Sequence, residues 1–236
     1  MAELVDAQVS GICAARRGGS SPLLGTIFKS VLRMADIILH EGDLPSFDMF
    51  QDSVAVDTET MGLNLHRDKL CLIQLCGKDG VCHLVRFSDS YDAPNLKKVL
   101  TDTRILKIFH FARFDLAAIY KYLGVVCTPV YCTKIASKLT RTNAPSHSLK
   151  TLCEELLGVV LDKEMQTSDW SCDTLSERQK KYAANDVLYL HAIKSVLDER
   201  LKKSHRQELA SSCFNFLNTR AVLDLNGWDE PDIFAH

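Results

Sequence analysis

The sequence predicts an α/β fold: a mixed sheet, part antiparallel meander and part parallel strands, flanked by helices. Two observations lead there. Three apolar runs joined by short connections fill residues 53–85, and strand and helix patterns then alternate until the chain turns wholly helical after residue 131. A 46% apolar content over 236 residues is enough for one full core.

Taken in order, residues 1–33 stand apart. Arg16-Arg17-Gly18-Gly19-Ser20-Ser21-Pro22 is turn-forming, and neither an amphipathic period nor an apolar signal core runs through the segment. The expectation is a disordered extension, or a start placed upstream of a true first residue at Met34. Residues 34–203 then read as one domain and 204–236 as a helical tail. Met34 to His40 predicts a first strand. Ser53-Val54-Ala55-Val56-Asp57-Thr58-Glu59 predicts a buried strand ending on two carboxylates. Leu70–Cys76 and Val81–Val85 are further strands, and the turn Gly77-Lys78-Asp79-Gly80 between them implies an antiparallel hairpin. Asn95–Leu100 reads as a helix, Ile105–Phe109 as a strand, and Phe114–Leu123 as a helix closed by Gly124 at its C-terminal end. Helices are expected over 131–139, 149–157 and 176–203. Ser176-Glu177-Arg178-Gln179 marks the start of the last as a capping box.

Bulk composition narrows the function. The net charge of −2 excludes a general polyanion binder, so any nucleic-acid contact must be local and short. No apolar run approaches the roughly 18 residues that span a bilayer, which points to a soluble protein, and the cysteine pattern points to a cytosolic one. The nine cysteines include no C-x-x-C pair, and reduced, core-filling thiols are expected.

The chemistry is carried by acids. Alternation along a strand puts Asp57 and Glu59 on one face, where two neighbouring carboxylates repel and lose solvation. A hard divalent cation, Mg²⁺ or Mn²⁺, resolves both problems. On the last helix the apolar stripe Leu190, Ile193, Leu197, Leu201 extends backwards onto Asp186 and Tyr182, an arrangement that is costly unless a cation or donor meets the acid. Asp115 follows Phe114 at a helix head, where by itself it reads as an N-cap. Residues 131–150 hold Lys134, Lys138, Arg141, Lys150 and His147 with no acid, which suits either a solvated helix face or phosphate contact.

Together, Asp57-Thr58-Glu59, Phe114-Asp115 and Tyr182-Ala183-Ala184-Asn185-Asp186 resemble the three motifs of the DEDD superfamily. These are the proofreading and ribonuclease D-like 3′→5′ exonucleases, with a ribonuclease H-like fold. Tyrosine four residues before Asp186, with Lys181 where another branch has histidine, resembles the tyrosine branch. Residues 40–45, 107–115 and 132–142 resemble the nano-RNase C group of small alphaproteobacterial exonucleases. Phe111 departs from the wider pattern, in which many members have asparagine there. The tail after Lys203 is expected to be too short for the helical accessory domain of larger ribonuclease D proteins.

The resemblance implies two divalent cations, Asp57 bridging both, Glu59 and Asp186 on the first, Asp115 on the second, and Tyr182 orienting the attacking water. It implies Leu63 as an apolar wedge between the last two bases, with His110, Arg113 and Arg141 as candidate phosphate contacts. It further implies short single-stranded RNA as substrate, with DNA as an alternative, and a homo-oligomer, in the form of an octameric ring. Competing readings are tRNA 3′-end processing of the ribonuclease D type, DNA trimming, and a nucleic-acid-binding relative without hydrolysis.

Overall fold

The computed structural model describes residues 36–88, 90–161 and 168–235. The expectation for residues 1–33 lies outside them. The sheet has six strands in the order β1-β4-β3-β2-β5-β6: β1 (Ile37–Glu41), β2 (Ser53–Thr60), β3 (Leu70–Cys76), β4 (Cys82–Arg86), β5 (Leu106–Phe109) and β6 (Val130–Cys132). β3 runs antiparallel to β2 and β4, as its tight turn requires, whereas β1, β5 and β6 pair parallel with their neighbours. The expected meander and mixed sheet are therefore present. Every residue of β3 is buried, because helices cover both faces of the sheet centre.

The helices are α1 (Pro94–Thr101), α2 (Ala112–Leu123), α3 (Thr133–Thr140), α4 (Leu149–Leu152) running into a π turn at Cys153–Leu157, α5 (Glu177–Leu188), α6 (Leu190–Lys203) and α7 (Gln207–Leu225). Three expectations are corrected. The helix expected from residue 131 begins at Thr133, because Val130–Cys132 extend the sheet by pairing with β5. The helix expected over 176–203 is two helices that meet at Tyr189, although the Ser176 capping box is present with both reciprocal bonds. The helix bearing Asp115 begins at Ala112, with Phe111 before it in the left-handed region (φ 69°), so Asp115 lies inside the first turn and is not the N-cap.

A helix, α7, runs through the tail. α7 buries Ala210, Phe214, Leu217 and Ala221 against the domain, packing along α2. The eight cysteines among the described residues are all free. No helix among the described residues is long and apolar enough to cross a membrane.

Candidate active site

Three segments bring the acids together. Asp57 and Glu59 share one face of β2, and a register shift between Glu59 and Thr60 marks a bulge at that strand end, a device that re-aims side chains. α5 packs across the same face, and its Ala184 carbonyl accepts from the Cys82 thiol of β4. One turn of helix separates Tyr182 from Asp186, so both reach the strand end. The result is a cluster in which one carboxylate oxygen each from Asp57, Glu59 and Asp186 lies within 4.8 Å of the others. Asp115 approaches from the other face. Thr58, between the two β2 acids, donates its hydroxyl to Asp115 Oδ1 at 2.7 Å. Sequence reasoning assigns no role to Thr58, whose side chain alternates away from Asp57 and Glu59.

Burial and like charge set the protonation. Desolvation pushes Asp57 up to about 7, against a bond from the Thr58 backbone that holds it down. Glu59 is pushed up to about 10 by burial first and then by the charges of Asp57, Asp186 and Asp115. Asp115 and Asp186 rise well above the ordinary carboxylate range for the same two reasons, with hydroxyls of Thr58 and Tyr182 opposing them. Tyr182 is itself raised by burial and by the surrounding acids, so its phenol stays protonated. Desolvated, mutually repelling hard oxygens are the donor set that a divalent cation satisfies, and the residues present fit one.

The expected substrate residues divide. Leu63 stands 88% exposed on a pinned loop. Asp68 accepts from the Asn64 backbone at 2.9 Å, Lys121 Nζ donates to the carbonyls of Leu65 and His66, and Tyr122 donates to the carbonyl of Asp68. Gly62 packs so closely on the Asp68 carboxylate that a Cβ would collide with it. His110 is turned inward, its Nδ1 2.8 Å from Thr133 Oγ1, and burial, then the Lys134 charge, lowers it to about 3, so it brings no charge to a phosphate. Both arginines have internal carboxylate partners. Arg113 grips Asp224 of α7 at 2.5 and 2.8 Å. Arg141, 7% exposed, pairs with Glu155 and bonds to Ser137 Oγ and the Ser146 carbonyl. From the basic run it is Lys134 that meets an exposed ring, lying 4.0 Å over Phe111.

Residues 35–202 match the family model described as 3′-5′ exonuclease. The chain belongs to the 3′-5′ exonuclease family. The exonuclease is similar to Brucella melitensis NrnC, at 52% identity and a TM-score of 0.83, covering 85% of this chain and 98% of that one. Other structures of that protein carry bound Mg²⁺ or are bound to pGG. The Escherichia coli RNase D structure is 28% identical, with a TM-score of 0.64 over 72% of this chain and 45% of that one. Among curated relatives, the ribonuclease D of Bartonella henselae is 34% identical over 66% of this chain, which spans 38% of that protein's length. The exonuclease thus has the mixed-sheet fold of the ribonuclease D and NrnC enzymes.

Proposed function

We propose that this exonuclease hydrolyses short single-stranded RNA, dinucleotides included, from the 3′ end to nucleoside 5′-monophosphates. The observation that carries the reading is the meeting of Asp57, Glu59 and Asp186 at one strand end, with Asp115 tied in through Thr58. Asp57 would bridge two divalent cations, with Glu59 and Asp186 on one and Asp115 on the other. Such a pair supplies an activated water and charge relief for the phosphate and the departing 3′ oxygen. Tyr182, held protonated and bonded to Asp186, is no general base; its oxygen can accept from the attacking water and fix its line of approach. Leu63 supplies the apolar wedge. The neutral His110 and the engaged Arg113 and Arg141 support a positioning part in the substrate wall, with Lys134 as a charge near the phosphates. The binding of pGG by the NrnC relative supports the dinucleotide substrate.

The same resemblance proposes cytoplasmic action and a closed ring of copies, the octamer included. α7 supports the assembly, since Leu209 and Phe216 leave apolar surface on the side away from the domain, beside Phe234.

The test is a product time course on end-labelled RNAs of graded length, with Mg²⁺, Mn²⁺ or a chelator. Fastest turnover of two-nucleotide RNA, lost in chelator and in Asp57→Ala, is the expected result. Rates that climb with length and favour tRNA precursors would move the chain to ribonuclease D-type processing, and preference for DNA would make it a DNA trimmer. No hydrolysis under any condition would leave a binding protein.

A further inference from the structure

Gln74 has no place in the chemistry so far, and its surroundings are hard to explain without one. It sits in the middle of β3 at 0% exposure, directly across from Asp57 in the register with β2 and from Leu84 in the register with β4. Neither atom of its amide has a hydrogen-bond partner among the described residues. A buried amide left unpaired at both ends is costly, and a leucine or methionine would fill the same space without that cost. Alternation places Gln74 on the sheet face that holds Asp57 and Glu59, the face that α5 closes with Tyr182 and Asp186. Residues directly opposed on antiparallel strands have Cβ atoms about 4.5–5.5 Å apart, so the amide is within reach of the Asp57 carboxylate.

We propose that Gln74 is a positioning residue for the cation site, its amide nitrogen, unbonded in the arrangement described, closing onto the Asp57 carboxylate when cations orient that carboxylate. This rests on the metal-dependent reading given above. An amide suits the task because it donates without bringing a charge that competes with the cation. Its oxygen remains free to accept from a bound water on the same face. Ligating carboxylates are ordinarily held by such outer bonds, whose loss weakens metal affinity or activity by about 10–100-fold.

Gln74→Leu and Gln74→Met in the full chain test this by Mn²⁺ titration followed by electron paramagnetic resonance, alongside the thermal midpoint without metal. The expected result is a midpoint equal to or above the wild type, with Mn²⁺ affinity about 10–100-fold weaker and kcat reduced at an unchanged KM for a dinucleotide. Mn²⁺ affinity within about twofold of the wild type, in either variant, would overturn the proposal. So would a large fall in the metal-free midpoint in both variants, which marks a purely structural amide. Failure of the wild type itself to bind Mn²⁺ would overturn the metal-dependent reading as well, so the two failures are told apart in one titration.

Discussion

The side chains of the acid cluster are out of balance in the metal-free protein, and that imbalance is measurable. Asp57 is raised to about 7 and Glu59 to about 10, above their ordinary values. A raised carboxyl favours the folded state when protonated. Its contribution is complete at pH values below its ordinary value near ~4 and is lost as pH climbs through about 7 and then about 10. The metal-free melting temperature should therefore fall between pH ~5 and ~9, and the gain on adding Mg²⁺ should grow over the same interval, because the cation replaces protons that are leaving. Differential scanning fluorimetry across that range, with and without Mg²⁺, checks it; a Mg²⁺ gain independent of pH would contradict the assignment. Tyr182→Phe separates orientation from metal binding: kcat should drop by about 10²-fold with Mn²⁺ affinity unchanged, read by single-turnover kinetics and titration. At this scale the acids were readable from sequence, since a carboxylate at the head of an apolar strand or stripe needs a partner. The fates of Arg113 and Arg141 were not. Their partners, Asp224 and Glu155, lie 111 and 14 residues away in the chain, and only the folded packing introduces them.

Elements decide how firmly the proposed substrate surface is presented. The segment from Met61 to Lys69 is fastened at its base by Asp68 and along its side by Lys121 and Tyr122 of α2, while Leu63 projects from it. Leu63→Ala should leave the melting temperature within about 1 °C of the wild type, since so exposed a side chain contributes little to folding. It should raise KM for dinucleotides by about 10-fold, the worth of burying a leucine against bases, measured by steady-state kinetics on two-nucleotide RNA. The hairpin of β3 and β4 was legible because turn residues and apolar runs agree. Two breaks were not. β6 is three residues long, too short to show a period, and follows Pro129 directly. The halt at Tyr189 contains neither glycine nor proline, and the helical pattern runs through it unchanged, so packing rather than local preference divides α5 from α6.

For the molecule as a whole, α7 packs one side onto the domain and carries two exposed apolar side chains on the other. One side fills the groove beside α2 and β6, and the other shows Leu209 and Phe216 to solvent. On the proposed assembly of copies through α7, Phe216→Glu should give smaller species in multi-angle light scattering while the melting temperature of the isolated fold changes little; an unchanged mass would contradict that role for α7. The acid cluster draws on β2 and α5, with Asp115 of α2 tied in through Thr58, and Asp186 is its last member in chain order. Synthesis proceeds from the other end. A nascent chain displays Asp57 and Glu59 while still tethered to the ribosome, but without α5 it holds an unfinished cage. The proposed site therefore closes only after α5 has left the exit tunnel and packed against the sheet, so its completion follows the synthesis of most of the domain.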